Sequence, residues 1–212
     1  MKEEGVLLEL YRTKRVEIER RLQEFKEIWH QGDREIFAEL CFCLLTPQSK
    51  AEACDGIVRT LTEKGLLFEG GLEEIRPYLK KARFYKTKAR FLLEARGFFQ
   101  ENGRLRIKER LNRQGPLATR EWLVEQVKGL GYKEASHFLR NIGLGEDLAI
   151  LDIHVLRRLR KLGLLRRVPK SMTPKRYLSI ERRLRRFSSR IHIPLSHLDL
   201  LFWYAESRRV FK

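Results

Sequence analysis

Cysteine is scarce in this chain, and the few cysteines present exclude the metal sites that cysteines build. Cys41, Cys43 and Cys54 are the only three in 212 residues. Their spacing does not supply the four ligands that a zinc or iron–sulfur site needs. All three fall in apolar helical stretches, as the buried reduced thiols of cytosolic proteins do. We therefore expect reduced thiols and no metal site.

Long apolar runs and a secretory signal are missing as well. No segment approaches the roughly 20 apolar residues that a helix needs to cross a bilayer. The chain starts with Met1-Lys2-Glu3-Glu4, which does not begin a signal peptide. We expect a cytoplasmic protein that makes no contact with a membrane.

Acidic residues are too few to balance the basic ones. The chain has 28 Asp and Glu against 45 Lys and Arg, a net charge of +17. Such an excess is unusual for an enzyme of small metabolites and favours a polyanionic partner, nucleic acid before an anionic membrane. A highly charged thermophile surface is the alternative, but it explains the number of charges and not their imbalance. Residues 157–190 hold fourteen basic residues and one acid, Glu181, which predicts a phosphate-tracking surface or a solvated helix face.

Helical periodicity dominates the rest of the sequence and predicts an all-α fold. The predicted helices cover residues 3–29, 34–45, 50–64, 72–80, 85–101, 118–128, 132–142, 153–162, 174–187 and 194–206. Asp33 and Ser49 are expected to cap the helices that follow them. No strand is expected, because β-branched residues do not cluster and polar–apolar alternation is absent.

The most informative segment is residues 127–137, which read Val-Lys-Gly-Leu-Gly-Tyr-Lys-Glu-Ala-Ser-His. The pattern predicts a helix, a tight turn and a second helix. Gly129 and Gly131 are expected to take positive φ there. The N–H groups that begin the second helix favour an anion, so a DNA phosphate can be held without any reading of base sequence. A plain structural turn is the alternative.

Lys133 and Asp152 add reactive groups beside this turn. Lys133 falls in the first turn of the second helix, where the helix dipole favours the neutral, nucleophilic amine; a surface lysine is the alternative. Asp152 follows an apolar run and precedes a helix, which predicts an N-cap. Facing a cleft, its carboxylate could also stabilise a cation at a sugar C1′ or take a proton from Lys133. His137 and His154 fit packing or phosphate contact better than catalysis.

The hairpin, the lysine and the aspartate together resemble the catalytic signature of the helix–hairpin–helix DNA glycosylases. The match is closest to the archaeal-type 8-oxoguanine DNA N-glycosylase/AP lyase family. The resemblance extends over nearly the whole chain and includes residues 42–51, 83–89, 128–141, 152–154 and the tail from 198 to 212. Glycosylases of the endonuclease III type share the hairpin but carry a C-terminal four-cysteine cluster, which this sequence lacks.

The resemblance implies an all-α, two-lobed fold with the active-site cleft between the lobes. It implies one glycosylase domain over residues 1–212, with the helix–hairpin–helix element at 124–142. The implied partner is double-stranded DNA containing 8-oxoguanine or abasic sites, bound by a nucleoid-associated monomer. No cofactor is expected, although hairpin carbonyls are a candidate site for a monovalent ion.

The resemblance also implies a bifunctional reaction. Lys133 attacks C1′ and releases 8-oxoguanine through a Schiff base, Asp152 steadies the positive charge, and β-elimination cuts the strand 3′ to the lesion. Two other functions stay open: a related enzyme for oxidised pyrimidines, and a non-catalytic module that binds DNA through the hairpin.

Further roles rest on the resemblance alone. Gln48 is expected to fill the gap left by the flipped base, with a turn residue as the alternative. Phe84 and Trp203 are expected to sandwich that base, with core packing as the alternative for both and Tyr85 as an alternative to Phe84. Lys212 is expected to close the base pocket. Besides Gln48, the implied DNA contacts are Gly129, Gly131 and His154.

Overall fold

The computed structural model describes residues 2–111 and 115–207, and helices dominate both ranges. The helices are α1 (Lys2–Gln31), α2 (Asp33–Leu45), α3 (Ala51–Glu63), α4 (Leu66–Glu69), α5 (Leu72–Ile75), α6 (Tyr85–Phe99), α7 (Ile107–Leu111), α8 (Pro116–Gln126), α9 (Tyr132–Asn141), α10 (Ile153–Lys161), α11 (Pro174–Ile191) and α12 (Leu195–Ser207). A 3₁₀ helix (Arg76–Lys81) follows α5. The prediction of an all-α fold is confirmed.

A small β-hairpin interrupts the helices, so the expectation of no strand was wrong. β1 (Gln100–Glu101) pairs antiparallel with β2 (Arg104–Leu105). Asn102 and Gly103 connect them, with φ of 50° and 75°. An Asn-Gly pair at positive φ is the preferred two-residue turn between strands, but only a helix over 85–101 was predicted here.

Two of the three predicted N-caps were wrong, and both side chains bind distant backbone instead. Gly32 occupies the N-cap position of α2, and Asp33 Oδ1 accepts the N–H of Lys108 at 2.8 Å. Ser49 Oγ accepts the N–H of Arg83 at 2.9 Å. Asp152 is the N-cap of α10 as predicted, since its Oδ1 accepts the N–H of Val155 at 2.7 Å.

Two hydrophobic clusters form the core. The first joins helices α2 to α9 around α2, in which Ile36, Phe37 and Leu40 are completely buried. The second joins α1 to α10, α11 and α12, so the first helix packs with the last three. Ile28 of α1 packs against both clusters. Each buried Leu, Ile or Phe side chain contributes about 1.5–3 kcal/mol, and the clusters are the two predicted lobes.

The helices of the described ranges are each too short or too polar to cross a membrane. The basic stretch 157–190 runs from α10 to the end of α11 in the second lobe. Twelve of its fourteen basic residues are exposed, whereas its one acid, Glu181, is buried. The exposed surface of this stretch therefore carries positive charge without an acidic partner from the same stretch.

Candidate active site

The turn between α8 and α9 depends on glycine at one position and on small size at the other. Gly129 has φ of 93°, and a Cβ there would lie 2.5 Å from the Phe91 ring. Gly131 is the extended N-cap of α9, with φ of −98°, so the prediction of positive φ was right for Gly129 and wrong for Gly131. A Cβ on Gly131 would meet Glu134 Oε2 at 3.1 Å.

Lys133 lies in the first turn of α9, directly after the hairpin. Its side chain is 23% exposed, and its Nζ lies 3.7 Å from Glu134 Oε1. The first N–H groups of α9 have no acceptor within the helix, because a helix leaves its first turn of donors unpaired. The start of α9 therefore presents both an amine and backbone donors.

A cavity of about 790 Å³ brings most of the predicted site residues together. This volume is in the range of small-ligand sites, so an extruded base can enter it. It is lined by residues 46–52, Lys133, Glu134, His137, Arg140, residues 150–154, Asp199 and Trp203. Because the lining comes from both lobes, the predicted cleft between them is confirmed.

Five predicted site residues share this cavity: Gln48, Lys133, Asp152, His154 and Trp203. His154 and Trp203 stack edge to face, with their ring centroids 5.8 Å apart. His137 stacks in the same way on Phe42, at 5.6 Å, which agrees with the packing interpretation for that histidine.

One predicted pocket residue does not line the cavity, and another lies outside the described residues. Phe84 is 54% exposed, has φ of 59° and does not line the cavity, and Arg83 lies over its ring at 4.9 Å. Lys212 lies outside the described residues. Tyr85, the alternative to Phe84, packs half-buried against the first hydrophobic cluster. The stacking role of Phe84 therefore stays a prediction.

An ion pair that was not predicted from the sequence lies against this cavity. Arg140 Nη2 lies 3.2 Å from Asp199 Oδ2, and both side chains are largely buried. Burial raises the pKa of Asp199 to about 6; the nearby charge of Asp152 adds to this effect, and Arg140 and Lys133 oppose it. The available signal was an acid inside the apolar run 198–203 of α12, since a buried carboxylate needs a partner.

A second buried ion pair holds the segment that leads into Asp152. Arg120 binds Glu181 through two hydrogen bonds of 2.7 and 2.9 Å. Glu181 also accepts the N–H of Ala149 at 2.8 Å, and the Tyr177 hydroxyl accepts the N–H of Leu151 at 3.3 Å. Side chains from α8 and α11 therefore fix residues 149–151, directly before Asp152.

The same pair also reaches the helix that carries Lys133. Arg120 Nη1 donates to Ser136 Oγ at 3.2 Å, and Ser136 lies one turn after Lys133 on α9. One buried polar network thus connects the helix of the lysine with the segment of the aspartate.

Comparison with known proteins agrees with this arrangement. The family model described as 8-oxoguanine DNA glycosylase matches residues 18–193. The chain is 42% identical to the 8-oxoguanine DNA glycosylase/AP lyase of Fusobacterium nucleatum, over 96% of this chain and 94% of the relative. It is 39% identical to the protein of that name from Methanocaldococcus jannaschii, over 92% and 91%.

Solved structures show the same likeness. The chain matches the crystal structure of the Methanocaldococcus jannaschii 8-oxoguanine glycosylase/lyase in complex with DNA containing 8-oxoguanine, with a TM-score of 0.91, 35% identity and full coverage of both chains. The 8-oxoguanine DNA glycosylase of Thermotoga maritima matches with a TM-score of 0.87 and 35% identity, over 99% of this chain and 100% of the other. The chain belongs to the 8-oxoguanine DNA glycosylase family.

Proposed function

We propose that this protein removes 8-oxoguanine from duplex DNA and then cleaves the strand at the abasic site. The observation that carries the proposal is that Lys133 and Asp152 line one cavity of a size that admits a base. A chain that used its hairpin only as an anchor would have no need for a nucleophile and a carboxylate in such a cavity. Family membership supports the same substrate.

DNA binding is proposed to begin at the hairpin. The unpaired N–H groups and positive dipole of the α9 N-terminus hold a phosphate. The exposed basic residues of 157–190 add attraction that does not depend on sequence. Gln48, exposed at the rim of the cavity, fills the space that the extruded base leaves. Extrusion costs a few kcal/mol and is easiest for a damaged or poorly paired base.

Base release is proposed to proceed by attack of the Lys133 amine on C1′. The N–C1′ bond forms as the bond from C1′ to N9 of the base breaks, and the base leaves with that electron pair and takes up a proton. Asp152 stabilises the positive charge that develops on the sugar, and it accepts a proton from the attacking amine. Trp203, at the cavity wall, offers a face on which the base stacks.

Strand cleavage is proposed to follow from the same intermediate. Ring opening of the sugar gives a protonated Schiff base between Lys133 and C1′, which makes the C2′ proton acidic. Loss of that proton sends its electrons into a C2′–C3′ double bond and expels the 3′ phosphate. These steps need only an amine and a carboxylate, so we infer no cofactor.

We propose a monomer with a single glycosylase domain, since a monomer is the default for an enzyme that must slide on DNA. A monovalent ion at the hairpin carbonyls, and closure of the base pocket by Lys212, remain part of the proposal.

Borohydride trapping on duplexes that contain 8-oxoguanine tests the proposal. Borohydride reduces the Schiff base, so the protein should become covalently bound to the DNA. Lys133→Gln should form no adduct. Lys64→Gln, at an exposed lysine that ends α3 and lies away from the hairpin, should trap like the wild type. Asp152→Asn should slow base release by about 10²-fold or more, with little change in DNA affinity.

Three outcomes would contradict the proposal. A wild-type protein that forms no adduct favours a binding module without catalysis. An adduct with Lys133→Gln assigns the nucleophile elsewhere. Faster trapping on oxidised pyrimidines than on 8-oxoguanine, in competition, moves the substrate to the pyrimidine class.

A further inference from the structure

The loop between α2 and α3 is held by one buried lysine on α6. Lys88 is 4% exposed. Its Nζ donates to Leu45 O at 2.6 Å, to Pro47 O at 2.7 Å and to Ser49 Oγ at 3.0 Å. An ammonium group has three donors, and all three are used on this loop.

The end of α2 explains why a charged group is tolerated in this buried place. Leu45 is the last residue of α2, and the carbonyls of a final helical turn lack partners within the helix and carry partial negative charge. Lys88 therefore binds the negative end of the α2 dipole. An apolar residue of the same size would fill the space but would leave the loop carbonyls without this donor.

Gln48 is the loop residue whose conformation needs such support. Its φ is 56°, in the left-handed region that residues with a Cβ avoid. Its neighbours on both sides, Pro47 and Ser49, are two of the three acceptors of Lys88. A strained backbone persists only where its surroundings over-determine it, and the bonds on either side of Gln48 do so here.

The same cluster reaches a second exposed residue in the left-handed region. Ser49 Oγ, besides accepting from Lys88, accepts the N–H of Arg83, directly before Phe84. In the described ranges, four residues other than glycine have positive φ, and Gln48 and Phe84 are two of them. Both are exposed, so the buried lysine supports a rim that faces solvent.

We propose that Lys88 is a positioning residue for base extrusion, acting through Gln48. This role rests on the proposed function, which assigns Gln48 to the gap left by the extruded base. Without the ammonium, Pro47 O and Ser49 Oγ lose a shared donor, and Gln48 relaxes to an ordinary backbone conformation. Its side chain then no longer enters the DNA helix at the position of the lost base.

Two substrates separate this role from a general loss of stability. Lys88→Met should lower single-turnover release of 8-oxoguanine by about tenfold or more. On a duplex with a preformed abasic site no base has to be extruded, so cleavage should fall by less than about threefold. Lys86→Met, an exposed lysine two residues earlier on α6, should behave like the wild type on both substrates.

A double-mutant cycle tests whether Lys88 acts through Gln48. In a Gln48→Ala background, Lys88→Met should lower base release by less than about threefold, because the residue it positions is already gone. Ser49→Ala removes one acceptor and leaves the ammonium in place. Ser49→Ala should lower base release relative to abasic-site cleavage, by a smaller factor than Lys88→Met does. It replaces Lys88→Met as the test if that variant does not fold.

The outcomes are distinct. Equal losses on both substrates, or an undiminished effect in the Gln48→Ala background, overturn the role of Lys88. Unchanged base release in Lys88→Met overturns it as well. The proposed function is judged separately, by whether the wild-type protein forms a borohydride adduct with 8-oxoguanine DNA.

Discussion

Two buried arginine–carboxylate pairs lie near the proposed active site, and they differ in how fully their charges are satisfied. Arg120 and Glu181 share two short hydrogen bonds, and Glu181 also accepts the Ala149 N–H. Arg140 and Asp199 make one contact at 3.2 Å. Within the described ranges, Arg140 Nε and Nη1 have no hydrogen-bond acceptor. Arg120 Nε also lacks an acceptor there, but both Arg120 Nη atoms and both Glu181 oxygens are bonded, so we call the first pair complete and the second incomplete.

The difference appears in the direction of the pKa shifts. Burial acts to lower the pKa of Arg120, but the hydrogen bonds and charge of Glu181 outweigh it and raise that pKa. For Arg140 burial prevails over Asp199, and the pKa is lowered. The pKa of Asp199 is raised to about 6. The two buried pairs thus differ, because Glu181 raises the pKa of its arginine, whereas the carboxyl of the other pair has a pKa of about 6.

Breaking the complete pair should have the largest effect on stability. Glu181→Ala leaves Arg120 buried without its carboxylate, and the free energy of unfolding should fall by about 3–5 kcal/mol. Urea denaturation of the wild type and the variant measures this fall. Glu3→Ala, which breaks a half-exposed pair with Arg158, should cost less than about 1 kcal/mol. If Glu181→Ala and Glu3→Ala lowered the free energy of unfolding equally, the buried pair would contribute no more to stability than the half-exposed one.

The incomplete pair should reveal itself through pH. The folded-state pKa of Asp199 lies above its ordinary value of 3.8. Its contribution to stability is therefore fully present below pH 4 and is lost as pH rises through 6. The loss is about 3 kcal/mol, because one pKa unit corresponds to 1.36 kcal/mol.

Asp199→Asn removes this titration. The unfolding free energy of the wild type minus that of the variant should fall between pH 4 and pH 7. Urea denaturation at steps of one pH unit gives that difference. A constant difference, or one that grows with pH, would contradict the assignment.

Removing one hydroxyl beside the complete pair should have the smallest effect on stability. Tyr177→Phe deletes the group that accepts from Leu151 N and donates to Ala149 O. The free energy of unfolding should fall by about 1–2 kcal/mol. Base release should slow severalfold, because Asp152 follows this segment. Tyr78→Phe, which changes an exposed side chain, serves as the control. If Tyr177→Phe released the base as fast as this control, Tyr177 would contribute to stability only.

Local patterns predicted what depends on neighbours in sequence. Periodicity placed the major helices. The run before Asp152 and the helix after it placed an N-cap, because capping involves residues three positions apart. Gly129 was assigned positive φ from the turn alone. The Asn102-Gly103 turn was equally local, and its strands were missed because each has only two residues.

What failed depends on contacts between distant residues. Asp33 and Ser49 have the capping chemistry that was predicted, but their donors are Lys108 and Arg83, 75 and 34 residues away. The pKa of Asp199 is raised by burial and depends on charges from other elements. Composition shows neither effect. Lys88 falls within the match at residues 83–89, but its contacts could not be predicted, because its acceptors lie 39 to 43 residues earlier in the sequence.

The burial of the three cysteines bears on how readily oxidants damage the protein. Cys41, Cys43 and Cys54 are fully buried and form no disulfide within the described ranges, and the Cys54 thiol donates to Leu45 O. Burial raises the pKa of the Cys41 and Cys54 thiols, which keeps them protonated. Peroxides attack the thiolate and need access to it. The family acts on oxidised guanine, and in this member the Cys41 and Cys54 thiols stay in the protonated, buried form that oxidants attack least.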